Sequence, residues 1–254
     1  MCETEDNVAC RMQGAYVIDT TENKHAASAT ALIVAAGSGS RMNSAVNKIF
    51  LPLLDQPILA HTLLSFQQSK TIKDIVLVSR EEDVLQCREI AQNNNITKLQ
   101  KIVPGGATRQ DSVLNGLSCI SGNSLVAIHD AARALITPSL IDASVCAAME
   151  YRAAALGVKC KDTLKSVDDN GMLCGTVDRE HTYHIQTPQV FFCKDIKAAH
   201  ECAKREGVSV TDDCALIQKY TQIKIKLINS SYDNIKITTQ DDIYYAENIL
   251  LKRG

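Results

Sequence analysis

Residues 31–42 read Ala-Leu-Ile-Val-Ala-Ala-Gly-Ser-Gly-Ser-Arg-Met, and they are the starting point for the fold. The first six are apolar, which is typical of a buried strand. Gly37 and Gly39 then open a turn whose bare backbone a phosphate can approach closely. Arg41 and, seven residues later, Lys48 add two positive charges. This order favours a polyphosphate site with Gly37 and Gly39 against the phosphates. A strand–helix turn that merely needs glycine is the alternative.

The composition excludes several classes of protein. Hydrophobic residues make up 45% and charged residues 22% of the 254-residue chain, whose net charge is -2. These proportions are ordinary for a globular protein, and the small net charge argues against a general nucleic-acid-binding protein. No apolar run approaches the roughly 18 residues of a membrane span. We therefore expect neither a nucleic acid nor a membrane as a partner.

The N-terminal residues 1–29 are polar and lack hydrophobic periodicity, so we expect a loosely ordered extension. They lack the apolar core that a signal peptide has, and they contain acidic residues, in which transit peptides are poor. The ten cysteines are scattered and include no Cys-x-x-Cys pair. This pattern favours reduced, mostly buried thiols in a reducing compartment, and we expect a cytoplasmic protein.

Strand-length apolar runs alternate with helix-length segments as far as residue 152. The predicted strands are residues 31–36, 74–79, 98–103 and 124–129. The predicted helices are residues 58–69, 81–94, 108–120 and 138–152. Thr108 and Asp111 resemble a capping box for the third helix, and Thr137-Pro138 is a typical start for the fourth. This alternation predicts an α/β fold with a mainly parallel sheet flanked by helices on both faces.

The pattern changes after Ala153. Predicted strands at residues 154–161 and 163–167 lead to the turn sequence Asp169-Asn170-Gly171, and a return strand follows at 173–177. This hairpin has few large apolar residues and would add little to a core. We interpret residues of about 158–187 as a protruding β-arm that packs on a second subunit. An ordinary edge hairpin is the alternative.

The α/β pattern then returns. Strands are predicted at residues 190–193, 223–228 and 234–238, and helices at 194–206, 212–220 and 239–252. Asp212 and Asp213 are expected to act as first-turn acids that favour the helix dipole. Because no internal repeat or linker follows residue 30, we expect residues 30–254 to form one domain.

Polar residues follow two of the predicted strands at the edge where open α/β sheets bind ligands. Residues 129–133, His-Asp-Ala-Ala-Arg, place Asp130 where it could hold a divalent cation and Arg133 where it could pair with a phosphate. Residues 105–112 offer bare backbone, a hydroxyl and Arg109 near a helix start. A structural Asp–Arg pair and simple helix caps are the alternatives at these two places.

Taken together, nine blocks resemble the 2-C-methyl-D-erythritol 4-phosphate cytidylyltransferases of the non-mevalonate isoprenoid pathway. They are AAGSGSRM, the NK of NKIF, GGATRQDSV, HDAAR, KDT, TVDR, TPQ, TDD and DNIKIT, and they lie within residues 31–239. The resemblance implies a Rossmann-like nucleotidyltransferase domain and an arm that is exchanged across a homodimer. It also implies that CTP and methylerythritol phosphate are the substrates, with Mg²⁺ as cofactor.

The resemblance carries roles to individual residues. It makes Arg41 and Lys48 the cations that stabilise the transition state, and places Asp130 and Asp233 near Mg²⁺ and the substrate. The nucleotide pocket would be lined by Ala35, Gly37, Gly106 and Ser112, beside Gly39 and Arg109 of the two loops described above. Thr163 and Arg179 would reach into the partner's site, where methylerythritol phosphate is positioned by Arg133, Thr187 and Lys236.

Two alternatives to this function remain at the level of sequence. Ribitol-5-phosphate cytidylyltransferases share the fold, CTP and most of the motifs. A non-catalytic nucleotide-binding scaffold could also keep the fold. The chain departs from the family at Asn47 and Ala134, where proline is usual. Since proline stiffens a backbone, we expect these departures to affect loop rigidity rather than chemistry.

Overall fold

The structure is a computed structural model that describes residues 27–37 and 47–253. Of the extension 1–29, only residues 27–29 are described, and Gly39 and Arg41 lie outside the described residues. The strands are β1 (Ala29–Val34), β2 (Pro52–Leu53), β3 (Gln56–Pro57), β4 (Ile72–Ser79), β5 (Leu99–Pro104), β6 (Leu125–Asp130), β7 (Ala153–Lys159), β8 (Lys165–Val167), β9 (Leu173–Thr176), β10 (Tyr183–Phe192) and β11 (Lys226–Asn229). The α-helices are α1 (Ile58–Gln68), α2 (Val84–Asn93), α3 (Arg109–Leu117), α4 (Pro138–Tyr151), α5 (Cys193–Glu206), α6 (Asp213–Tyr220) and α7 (Gln240–Arg253).

Seven strands build the central sheet in the order β11-β7-β10-β6-β1-β4-β5. β1 runs parallel to β4 and β6, β4 parallel to β5, and β11 parallel to β7. β10 is antiparallel to both of its neighbours, β6 and β7. The prediction of an α/β fold with a mainly parallel sheet is therefore confirmed.

Helices cover both faces of this sheet. On one face, Ala31 and Ile33 of β1 belong to a buried cluster with side chains of α1, α2 and α4. On the other face, Leu32 is buried with side chains of α3, α5 and α6. Successive residues of a strand point to opposite faces, so a strand covered on both sides needs an apolar residue at every position. This requirement explains the unbroken apolar run that begins at Ala31.

Capping interactions fix where two of the helices begin. The Thr108 hydroxyl accepts from the backbone N–H of Asp111 at 3.0 Å, and the Asp111 carboxylate accepts from the Thr108 N–H at 3.2 Å. The predicted capping box of α3 is thereby confirmed. Thr137 caps α4, with Pro138 at the first helical position, as predicted.

Two predicted strands differ from the structure. Residues 234–238, predicted as a strand, are irregular backbone. The side chain of Ile237 is buried against α7 and the loop after β6. Burial therefore explains why this segment contains apolar residues although it does not pair with the sheet. β10 begins at Tyr183, well before the predicted start at Val190, because it already pairs with Lys159 at the far end of β7.

The predicted hairpin forms a small sheet of its own. β8 and β9 pair in antiparallel register, with Lys165 opposite Thr176, on either side of the turn that contains Gly171. All of the residues in both strands are exposed, and Met172 and Leu173 expose 66% and 71% of their surface. The hairpin thus contributes nothing to the core clusters, and its packing on a second subunit stays a prediction.

The eight cysteines among the described residues form no disulfide, and five of them are buried. This agrees with the expectation of reduced, mostly buried thiols for that part of the chain. Within residues 27–37 and 47–253, no helix has the length and apolar character that crossing a membrane requires.

Candidate active site

The carboxyl ends of β1, β5 and β6 open into a cavity of about 410 Å³. This is the edge at which open α/β sheets bind ligands. Among the described residues, five segments supply the wall: the start of the loop after β1, the short 3-10 turn Lys48–Phe50, the loop that enters α3, the end of β6 and the loop before α7. The lining residues are 34–37, 47–49, 106–109, Ser112, Asp130, Ala132, Lys236 and Thr238.

The loops after β1 and β5 approach each other so closely that one residue at their contact must be a glycine. A Cβ on Gly105 would lie only 2.4 Å from the Cβ of Ala36. The next residue, Gly106, donates its N–H to the Ser112 hydroxyl at 3.0 Å, and this hydroxyl donates to the Thr108 carbonyl at 2.9 Å. Ser112 therefore holds the glycine loop against the first turn of α3 at the cavity wall.

Asp130, the last residue of β6, lies between two cations. Its Oδ2 is 2.7 Å from Nζ of Lys236, and its Oδ1 is 3.1 Å from Nε of Arg109. Burial by itself raises the pKa of Asp130, but the two cations outweigh it and hold that pKa well below its usual range. Asp130 therefore presents an ionised carboxylate to the cavity at neutral pH.

A second carboxylate, that of the buried Asp213, pairs with Arg109 on the side that faces the protein interior. Nη2 of Arg109 lies 3.0 Å from Oδ2 of Asp213, whose Oδ1 lies 3.0 Å from Nε2 of the buried His200. Burial lowers the pKa of Arg109, and Asp213 and Asp130 more than reverse this, so the net shift is upward. The guanidinium is thus permanently charged and is fixed by two carboxylates at the start of α3.

His129 and Thr187 fix the backbone beside Asp130. The Thr187 hydroxyl accepts from the Asp130 N–H at 3.2 Å, and it lies 3.0 Å from Nδ1 of His129. Nε2 of His129 lies 3.3 Å from the Arg133 carbonyl, which can only accept, so Nε2 carries the imidazole proton. Nδ1 therefore accepts the hydrogen of the Thr187 hydroxyl. Burial lowers the pKa of His129 to about 3, so the ring is neutral.

The loop before α7 carries Lys236 into the cavity. Asn234 is fully buried, and its amide donates to Oε1 of Gln186 at 3.0 Å and to the Thr187 carbonyl at 3.1 Å. Arg133 donates through Nη1 to the Asn234 carbonyl at 2.7 Å. These side-chain contacts replace the ladder hydrogen bonds of a strand, which explains how irregular backbone holds a definite position.

The cavity and its charges can be compared with known proteins. The family model described as 2-C-methyl-D-erythritol 4-phosphate cytidylyltransferase matches residues 29–252. The chain belongs to this family. The resemblance seen in the sequence motifs is therefore confirmed, and the match spans nearly all of the described residues.

Individual cytidylyltransferases agree with this assignment. One from Clostridium botulinum (strain 657 / Type Ba4) is 44% identical over 222 residues, covering 87% of this chain and 96% of that protein. One from Desulforamulus reducens is 44% identical over 226 residues, covering 88% and 96%. The crystal structure of 4-diphosphocytidyl-2C-methyl-D-erythritol synthase from Anaerococcus prevotii matches with a TM-score of 0.79 and 33% identity, covering 88% and 96%.

In this member of the cytidylyltransferase family, the structure brings many of the predicted site residues to one cavity. Those that line it are Ala35, Gly37, Lys48, Gly106, Arg109, Ser112, Asp130 and Lys236. Arg133 and Thr187 lie directly behind the wall and are engaged by Asn234 and His129. Gly39 and Arg41 lie outside the described residues.

Three predicted residues of this cytidylyltransferase lie away from the cavity lining. Thr163 and Arg179 are exposed, the first just before β8 and the second shortly after β9. Asp233 faces α7, where Oδ2 lies 3.3 Å from Nη2 of Arg253. The structure therefore does not bring Asp233 to the cavity wall with Asp130, and the roles of all three residues stay predictions.

Sequence reasoning missed several residues that shape the site of this cytidylyltransferase. Asp213 does begin α6, as expected of a first-turn acid, but it is also a fully buried partner of Arg109. Gly105 and His200 were not singled out. The signal for Gly105 lay beside Gly106 in the sequence, whereas only the packing of α5 against α6 brings His200 to Asp213.

Proposed function

We propose that this chain joins CTP to 2-C-methyl-D-erythritol 4-phosphate, giving 4-diphosphocytidyl-2-C-methyl-D-erythritol and pyrophosphate. Family membership over residues 29–252 carries the proposal. The geometry agrees with it, because the cavity gathers Lys48, Arg109 and Lys236 where a triphosphate and a sugar phosphate would place their negative charge. The enzyme would thus be a nucleotidyltransferase of isoprenoid precursor synthesis.

The proposed reaction is an in-line attack by a phosphate oxygen of methylerythritol phosphate on the α-phosphorus of CTP. The new P–O bond forms as the bond to the leaving pyrophosphate breaks. The nucleophile is already ionised, so no side chain needs to remove a proton from it. The barrier comes from repulsion between two anions and from charge on the leaving group, and fixed cations lower both.

Lys48 and Arg41 are the proposed cations at the α-phosphate and the leaving oxygens. Lys48 is the first residue of the short 3-10 turn in the cavity wall. Lys236 and Arg133 are proposed to orient the sugar phosphate, with Thr187 supporting them through Asp130 and His129. Ala35, Gly37, Gly39, Gly106, Arg109 and Ser112 are the proposed nucleotide-binding residues.

Mg²⁺ is the proposed cofactor, and Asp130 fits the requirement for it. Mg²⁺ in phosphate-transfer sites is usually held by one or two carboxylates together with substrate phosphates. Asp130 supplies an ionised carboxylate at the wall, and its oxygens keep lone pairs beyond the contacts with Lys236 and Arg109. When bound, Mg²⁺ neutralises part of the charge of the triphosphate.

We propose a homodimer formed through the β-arm of about residues 158–187, which contains the β8–β9 hairpin. Val167, Met172 and Leu173 on the hairpin expose 59%, 66% and 71% of their surface, which favours burial against a second copy. Thr163 and Arg179 would then reach the partner's cavity.

The thiols of the described residues form no disulfide, which supports a cytoplasmic location.

The test is release of pyrophosphate from CTP with each of two sugar phosphates. We expect release with methylerythritol phosphate and far less with ribitol 5-phosphate. The reverse preference would assign the chain to the ribitol-5-phosphate cytidylyltransferases. No release with either substrate, in the presence of Mg²⁺, would favour a nucleotide-binding scaffold instead.

A further inference from the structure

Asn47 comes directly before Lys48 and is almost completely buried, with 2% of its surface exposed. It is the N-cap of the short 3-10 turn Lys48–Phe50, and its Oδ1 accepts from the Ile49 N–H at 3.4 Å. A buried polar side chain must find partners for all of its donors and acceptors. The two hydrogens of the side-chain amide also have partners, and these partners show what Asn47 does.

The amide nitrogen of Asn47 joins two parts of the fold. Nδ2 donates to the carbonyl of Ala35 at 3.3 Å and to Oδ2 of Asp83 at 2.9 Å. Both partners are pure acceptors, and the Ile49 N–H is a pure donor. The orientation of the amide is therefore fixed by its surroundings, and the side chain uses both hydrogens and its oxygen.

Asp83 is itself held in place and is not a mobile partner. Its Oδ2 lies 2.7 Å from Nε of Arg80, and its Oδ1 lies 2.9 Å from Nη2 of the same guanidinium. Such two-pronged pairing fixes a carboxylate in both position and plane. Arg80 directly follows β4, so the contact connects Asn47 to the end of a central strand.

We propose that Asn47 is a positioning residue that holds Lys48 in the cavity wall by anchoring its turn to β1 and β4. This inference rests on the proposed function. Asparagine suits the position because serine or threonine could cap the turn but could not also donate to two acceptors. Residues 36–46 lie between Ala35 and Asn47 in the sequence, so the hydrogen bond between these two residues joins the two ends of that segment.

The chemical consequence concerns how precisely the ammonium group of Lys48 is positioned. A catalytic cation must meet the charge that develops in the transition state, and a displacement of about 1 Å can cost about 100-fold in rate. Loss of the anchor frees the turn that carries Lys48 while leaving the lysine itself intact. We therefore expect kcat to fall about tenfold or more in Asn47→Ala, with little change in KM for methylerythritol phosphate.

A double-mutant cycle tests whether Asn47 acts through Lys48. Asn47→Ala is measured in the wild-type chain and in Lys48→Ala, with single-turnover pyrophosphate release as the readout. We expect the loss caused by Asn47→Ala to disappear when Lys48 is absent. The same fold-loss in both backgrounds, or no loss in the wild-type chain, would overturn the proposal.

Asn47→Ser separates the anchor from the helix cap. Serine keeps a capping oxygen for Ile49 but is too short to reach Asp83. We expect Asn47→Ser to lose kcat as Asn47→Ala does, whereas a wild-type rate would mean that only the cap matters. Asn94→Ala is the matched control, since its side-chain amide donates to the nearby Ile90 carbonyl at 2.8 Å and Asn94 is not among the described residues that line the cavity.

Hydrogen–deuterium exchange supplies a readout that does not depend on activity. Peptides that contain residues 48–51 should exchange faster in Asn47→Ala than in the wild-type chain, with α4 and α5 unchanged. Unchanged exchange of residues 48–51 would contradict the anchor even if the proposed reaction proved wrong. A wild-type chain without activity would overturn the proposed function and leave the exchange result to decide on the anchor.

Discussion

Nζ of Lys236 lies 2.7 Å from Oδ2 of Asp130, although Asp130 ends a central strand and Lys236 lies on irregular backbone before α7. The pair places one positive and one negative charge side by side on the cavity wall. A bound phosphate would compete with Asp130 for Lys236. Asp130 thus offsets the charge of Lys236 until an anion enters the cavity.

Lys236→Gln should weaken binding of the sugar phosphate. A hydrogen bond to a charged group contributes about 1.5–3 kcal/mol, so we expect kcat/KM for methylerythritol phosphate to fall about 10- to 100-fold. Steady-state kinetics with each substrate varied in turn measures this effect. Lys252→Gln, in the exposed last turn of α7, is the control. An unchanged KM for methylerythritol phosphate would contradict the assigned role of Lys236.

Lys48→Ala should lower kcat with CTP at saturation. Removing one well-placed electrostatic donor typically costs about 100- to 1,000-fold in rate, because the charge of the transition state loses its partner. The measurement is pyrophosphate release at saturating CTP and methylerythritol phosphate. Lys204→Ala on the exposed side of α5 should behave as the wild-type chain does. Near-wild-type turnover of Lys48→Ala would remove Lys48 from the mechanism.

Gly105→Ala should lower stability, whereas Gly37→Ala should weaken binding of CTP. A Cβ on Gly105 meets the Cβ of Ala36 at 2.4 Å, so we expect a loss of about 1–3 kcal/mol in the free energy of unfolding. At Gly37 no atom of the described residues lies within 4 Å of such a Cβ, so this part of the fold should tolerate alanine. Because Gly37 lines the cavity, its methyl group should instead raise KM for CTP. Urea unfolding and kinetics separate the two outcomes.

His129 should make stability depend on pH. Its pKa is about 3 in the folded protein and about 6.5 in the unfolded chain, so between these values only the unfolded chain binds the proton. Stability should therefore fall as the pH drops below about 6.5, by up to about 1.4 kcal/mol per pH unit. His129→Gln should show a shallower slope between about pH 6.5 and 4.5 in urea unfolding. Equal slopes would mean that His129 is protonated in the folded protein.

Arg179 and Lys48 should complement each other across the proposed dimer. Hybrids of an Arg179→Ala chain and a Lys48→Ala chain would contain one intact site if the hairpin of one copy serves the cavity of the other. Random pairing of the co-expressed chains makes half of the dimers hybrid, so about one quarter of the wild-type activity should return. Pyrophosphate release from the co-purified mixture measures it. Hybrid dimers without activity would place Arg179 in the site of its own chain.

Much of the fold was predictable because it depends on local patterns. The apolar run from Ala31 predicts a strand buried on both faces, and Thr108 with Asp111 predicts where α3 begins. The strand predicted at residues 234–238 was wrong because its apolar side chains are buried without pairing to the sheet. Periodicity reports burial, and it cannot tell which backbone partner a buried segment has.

The site was predictable only in part. Parallel strands bring their carboxyl ends to one edge, so Gly37, Gly106 and Asp130 could be expected to meet. Nothing in a single sequence indicates that Asp213 and His200 fix Arg109, since that contact depends on how α3, α5 and α6 pack. Asn47 is a similar case, because a departure expected to loosen a loop proved to be a buried anchor with three hydrogen bonds.

By itself, the sequence determined the α/β architecture, the glycine-rich loop after β1 and, through its motifs, the family. These properties rest on the order and spacing of residues along the chain, which tertiary contacts do not alter. Tertiary structure alone decided that Lys236 and Arg109 pair with Asp130, that Asp213 pairs with Arg109, and that the Asn47 amide donates to Asp83. The physical reason is that an ion pair or buried hydrogen bond forms within about 3 Å in space. Residues brought that close by packing can be any distance apart in sequence.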